Sequence, residues 1–132
     1  MQAPIAFGNA LADETRFRVI HLVLDRTLCV CELAEILGLP QSTLSSHLRV
    51  IQRAELLECE KRGKWCFYRV KPAVRPLLEA VFRHFGTSPE TDNALARDAR
   101  KAVKCVDCRD DVSCPPAAAS RTARTVSTAS TR

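Results

Sequence analysis

The sequence contains no apolar run long enough to cross a bilayer, where a spanning helix needs about 20 consecutive apolar residues. Its first residues, MQAPIAFGNALADETR, lack both the basic segment and the long apolar segment of a secretory leader, so a cytoplasmic protein is expected. It also has no glycine-rich nucleotide loop, no triad-like set and no strand-linked Cys-x-x-Cys pair. An enzyme, a small thiol oxidoreductase included, is therefore not expected, and neither is an organic cofactor.

What is present is one chain of 132 residues, enough for one modest core and not for two. Residues 1–88 are expected to form the folded domain. Residues 89–132 are expected to form a cysteine-containing extension, ending in a disordered low-complexity tail over 116–132. The net charge of +5 is mild support for a polyanionic partner. Seven cysteines are many for this length, and an odd number without a leader argues against a disulfide framework. In a reducing compartment such usage favours metal or redox chemistry; small buried hydrophobes are the alternative, best suited to Cys59 and Cys66.

Three helices follow one another near the N-terminus. Residues 13–24, DETRFRVIHLVL, carry a capping Asp13 and apolar Phe17, Ile20, Leu22 and Leu24. Residues 30–37 form a second helix on Leu33, Ile36 and Leu37. Gly38-Leu39-Pro40 supplies its C-cap and stop. Residues 41–54 form a third, with Leu44, Leu48 and Ile51 on its buried side. Helix, short glycine turn, helix is a helix-turn-helix. The second of the pair is polar outward at Gln41, Ser42, Thr43, Ser45, Ser46, His47 and Arg49. Short hydroxyl and amide side chains allow close approach to DNA and can bond base edges or phosphates.

Residues 56–70, LLECEKRGKWCFYRV, predict a hairpin turning at Arg62-Gly63, with Lys61, Arg62 and Lys64 at its tip. A basic-tipped hairpin after a helix-turn-helix is a wing, whose Arg62 and Lys64 can reach phosphates or the minor groove. A turn centred there sets Cys59 opposite Cys66, to pack together or to bridge on oxidation. Residues 72–85 predict a helix whose regular part is delayed by Pro76. Its stripe of Leu77, Val81, Phe82 and Phe85 is expected to lie in a dimer interface. Ser88-Pro89-Glu90 starts a further helix, with Leu95, Ala99 and Val103 on one face.

Cys29 and Cys31 stand at the front of the helix that precedes the DNA-reading one. Within a regular helix, residues two apart diverge by about 200 degrees. At a helix start they need not, and Cys29-Val30-Cys31-Glu32 has the spacing of a capping box. An extended N-cap Cys29 and a first-turn Cys31 can converge, beside free amides and the positive end of the helix dipole. Thiolates suit a soft ion. Two ordinary helix-start residues are the alternative.

Taken together, Leu28-Cys29-Val30-Cys31-Glu32-Leu33, the run from Gln41 to Leu48, Gly63-Lys64-Trp65 and Tyr68-Arg69 resemble the ArsR/SmtB family of metal-sensing winged-helix repressors. The resemblance spans about Leu11 to Val70 and extends to the helix ending near Phe85. It implies a mainly α winged helix-turn-helix with a small β-hairpin. It also implies a homodimer on double-stranded operator DNA, released when an ion such as arsenic(III), the inducer of the branch with Cys-Val-Cys, binds. Antimonite is a second inducer in that reading. The best-known arsenic sensors have a third cysteine where this chain has Ala34, and trivalent arsenic commonly takes three thiolates. Cys105 and Cys108 are the candidates for the missing ligand, with Cys114 behind them. The paired acid-and-histidine pattern of zinc sensors is absent, since His84 stands alone. A repressor answering cadmium, lead or zinc, or oxidation of Cys105-Cys108 or Cys59-Cys66, is the alternative.

Overall fold

A computed structural model describes residues 1–107. Cys108, Cys114 and the 116–132 tail lie outside those residues. Helix α1 spans Gln2–Leu11, α2 Glu14–Leu24, α3 Val30–Leu37 and α4 Gln41–Arg53. The short β1, Leu28–Cys29, precedes α3. Strands β2, Leu57–Arg62, and β3, Trp65–Val70, are followed by α5, Arg75–Phe85, and α6, Asn93–Asp107. The three strands form an antiparallel sheet in the order β1-β3-β2. Among the described residues no helix is long and apolar enough to cross a membrane.

The local rules account for the central helices. Asp13 is extended and its carboxylate accepts from the Arg16 amide at 3.1 Å, which caps α2. Gly38 closes α3 with φ +68°, a conformation that favours glycine. Leu44, Leu48 and Ile51 of α4 are buried in the main core with Val19, Ile20 and Leu22 of α2 and Leu33 and Ile36 of α3. Pro72 opens a turn rather than a helix, and Pro76 stands in the first turn of α5, where its missing N–H is harmless.

Four features depart from the sequence reading. Helix α1 was not anticipated; it buries Ala10, with Phe7 and Leu11 partly buried, against α2 and α4. The two-residue β1 pairs Leu28 with Tyr68 and Cys29 with Phe67. The hairpin turns at Gly63-Lys64, so that Arg62 faces Trp65 and the register is shifted by one. Gly63 takes φ +63° at the first loop position, where a type II′ turn needs glycine. Finally, α6 buries Leu95, Asp98 and Ala102, while Ala99 is half-buried and Val103 is exposed. The reason is an ion pair: Asp98 is 1% exposed and accepts from Arg18 of α2 through both oxygens, at 2.7 and 2.9 Å. A bidentate pair satisfies the buried carboxylate and fixes the helix rotation. Helix α6 thereby packs on α2 and α3.

The α5 stripe divides. Leu77 is 51% and Phe85 70% exposed, and Val81 is partly buried against the main core. Phe82, expected at a subunit interface, is instead 5% exposed inside its own chain. It stacks on His21 at 3.9 Å between centroids and meets Phe17 edge-on at 5.2 Å. His21 lines an open groove of about 630 Å³ between α2 and α5, and among the described residues its buried Nε2 has no hydrogen-bond partner. Burial lowers its pKa below the ordinary histidine value of 6.5, against the opposing pull of Asp25 and Asp92. The unfolded chain therefore binds this proton more readily than the fold does. His21's contribution to stability is complete above 6.5 and is lost as pH falls through that value toward the lowered one. His21→Phe, which keeps a ring on Phe82, should make the unfolding free energy from urea titrations less dependent on pH between about 7 and 5. An unchanged slope would mean that His21 takes up no proton on unfolding.

Candidate thiol site and nucleic-acid interface

The start of α3 is built by Glu32. Cys29, the N-cap, is extended at φ −90° and ψ 171°, and its amide donates to Glu32 Oε1 at 2.9 Å. The capping box is present in both directions, with the Cys29 sulfur over the third amide of the helix. Glu32 itself is fully buried. Cys29 is also the last residue of β1, opposite Phe67, so sheet and helix meet at this residue. Cys29 and Cys31 are thiols, 1% and 8% exposed, and form one small cluster with Phe67, flanked by Val30 and Trp65.

Both predicted thiols thus share one site, at the amino end of a helix and away from bulk water. Two soft sulfur donors there fit a thiophilic ion. Cys105, on α6, is partly buried against the main core rather than in this cluster. Among the described residues no group of three or more His, Cys, Asp or Glu is gathered to hold a metal. Cys108 lies outside them.

Helix α4 and the hairpin both touch the thiol cluster. Gln41, the first residue of α4, donates its side-chain N–H to Cys31 Sγ at 3.3 Å. Pro40 precedes it and offers α4 no side-chain cap. On the other side, the Arg62 guanidinium lies 4.5 Å from the Phe67 ring centroid and bonds Glu60 at 3.2 Å. That arginine holds the Glu60 carboxyl below its usual range.

Of the residues expected on DNA, Gln41, Ser42, Thr43, Ser46 and Arg49 are exposed, and Ser45 is half-buried. His47 is turned toward the body of the chain. Its Nδ1 is 3.4 Å from the Arg16 guanidinium and 3.8 Å from Asp13. At the wing tip Lys64 is exposed near the Trp65 ring, whereas Arg62 is half-buried as described. Lys61, set at the wing tip by the sequence, is exposed, and one further exposed cation, Arg53, was missed. Arg53 follows Arg49 by four residues, a helical repeat that could have shown it. Cys59 and Cys66 are joined as a disulfide across a diagonal of the hairpin, with Cα atoms 5.9 Å apart; Cys59 faces Tyr68 and Cys66 faces Lys61, not each other.

A helix pair with a polar exposed face, followed by a short hairpin bearing cations, defines a winged helix-turn-helix fold. Residues 13–58 match the family described as bacterial regulatory protein, arsR family. The arsenic resistance transcriptional regulator ArsR1 of Pseudomonas putida is 38% identical over 81 residues, 61% of this chain and 62% of that one. The cadmium resistance transcriptional regulatory protein CadC homolog of Staphylococcus aureus is 34% identical over 78 residues, 58% and 64% of the two chains. The chain therefore spans less than two thirds of each of these relatives. Among solved structures, HlyU from Vibrio cholerae matches with a TM-score of 0.58 at 30% identity, over 65% of this chain and 95% of that one. A homodimeric winged helix-turn-helix DNA-binding domain from Mycobacterium bovis matches with a TM-score of 0.57 at 25% identity, over 61% and 75%. The chain belongs to the arsR family of bacterial regulatory proteins.

The capping box makes a direct prediction. Glu32→Ala leaves the buried Cys29 amide without this acceptor and should lower the unfolding free energy by about 2 kcal/mol, with Glu32→Gln costing less because it keeps a carbonyl oxygen. Urea denaturation checks this, and an alanine variant as stable as the parent would show that Glu32 does not hold the helix start.

Proposed function

We propose that the chain is a homodimeric transcriptional repressor that binds double-stranded operator DNA and releases it when arsenic(III) binds Cys29 and Cys31. One observation carries the reading: the two thiols are buried together at the start of α3 and packed against Phe67 of the wing, and Cys31 accepts a hydrogen bond from the first residue of α4. An ion held there acts on both DNA-reading elements at once. The resemblance to an arsenic resistance regulator supports the choice of ion.

In this reading α4 enters the major groove with Ser42, Thr43, Ser45, Ser46 and Arg49, extended by Arg53. Lys61, Lys64 and Arg62 serve the backbone or minor groove. Leu77 and Phe85, with Ile5 of α1 as a further exposed apolar side chain, supply the subunit interface. A two-fold axis would then set the recognition helices about 34 Å apart. Cys105 or Cys108 supplies a third thiolate, and the protein acts in the cytoplasm.

A second reading keeps the site and changes the ion. Thiolate pairs also suit cadmium or lead, and one relative is named for cadmium resistance. Oxidation of Cys59 and Cys66, joined across the hairpin, is the other input this reading allows.

The test is operator binding by the full chain, titrated in turn with arsenite, antimonite, cadmium, lead, zinc and peroxide. Arsenite should release DNA at the lowest concentration. Cys29→Ser and Cys31→Ser should bind operator and fail to release it, while Cys59→Ser and Cys66→Ser should respond as the parent does. Release of the Cys29→Ser protein by arsenite at the parental concentration would place the sensor elsewhere.

A further inference from the structure

The hydrogen bond between Gln41 and Cys31 joins the sensing helix to the reading helix at the first turn of each. Gln41 has the exposure and position expected of a DNA contact, yet its amide N–H points back at a thiol, 3.3 Å away. Pro40 before it has no side-chain group to cap α4, so the tie to Cys31 is what Gln41 adds at that end. Cys31 is nearly buried, and a sulfur there has few alternatives to the partners the fold supplies.

We propose that Gln41 is the positioning residue through which α4 reads the state of the thiol pair; the inference rests on the assignment of Cys29 and Cys31 as the arsenic site. In the thiol form, Cys31 accepts from Gln41 and the start of α4 is held against α3. When arsenite binds, each As–S bond forms as an arsenite hydroxyl and the thiol proton leave together as water. The Cys31 sulfur then gives its electron pair to arsenic and is a poorer acceptor. Gln41 loses its partner, and the start of α4 is released from the position that suits the major groove. Such a device couples ion and operator only if the two states differ in ion affinity, and the coupling is then reciprocal.

Reciprocity supplies the test. Arsenite affinity is measured for the free full-length protein and for the protein saturated with operator, at low salt, where phosphate contacts keep weakened variants bound. Trp65, the one tryptophan, packs on the Cys29–Cys31–Phe67 cluster, and its fluorescence reports the binding. For the parent chain, operator should weaken arsenite binding on the order of tenfold. Gln41→Met keeps the side-chain length and removes the N–H. It should bind arsenite within about threefold of the parent when free, with the operator effect reduced to about twofold or less. Gln41→Lys, which restores an N–H donor, should recover most of the effect. An operator effect in Gln41→Met equal to the parent's overturns the role of Gln41 and leaves the arsenic site standing. Arsenite binding unchanged in the Cys29→Ser, Cys31→Ser double variant overturns both.

Discussion

The contact on which the site depends is the carboxylate of Glu32 on the amide of Cys29. It ends β1 and begins α3 within one residue, which lets Cys29 stay extended while Cys31 is already in the helix. Without that switch of backbone, two residues of alternating spacing would point apart. With it, both sulfurs join a single cluster against Phe67. A carboxylate that is fully buried needs such a partner, because an unmet charge in the core costs several kcal/mol.

The wing is divided between two tasks by the parity of its strands. Leu57, Tyr68 and Val70, on one face, pack on the main core. On the other face Phe67 packs on the thiols, and Arg62, bonded to Glu60, lies over its ring. The thiol cluster is therefore in contact with α4 through Gln41 and with the wing through Phe67. Helix α6, latched by Arg18 and Asp98, packs on the far end of the same arrangement, against α2 and α3.

Much of this was legible from residue spacing. The Asp13 cap, the Gly38 stop, the Leu44-Leu48-Ile51 face and the capping box at Cys29 all follow from local rules whose partners lie within a few residues. What was not legible depends on distant partners or on small energy differences. Helix α1 is short and gains its stability from packing on α2 and α4. The hairpin register turns on whether Gly63 takes the first or second loop position, and composition alone does not decide that. Asp98 reads as a solvent-facing acid until Arg18, 80 residues away in sequence, is placed beside it. His47 and Phe82 likewise turned inward because Asp13, Arg16 and His21 were there to receive them.

The central claim is that arsenic(III) is held by Cys29 and Cys31. X-ray absorption at the arsenic edge, on the full chain loaded with one equivalent of arsenite, tests it most directly. The account predicts a sulfur shell around arsenic that is unchanged in the Cys59→Ser, Cys66→Ser double variant and gives way to oxygen when Cys29 and Cys31 are both replaced by serine. A sulfur shell that survives the loss of Cys29 and Cys31 would contradict it.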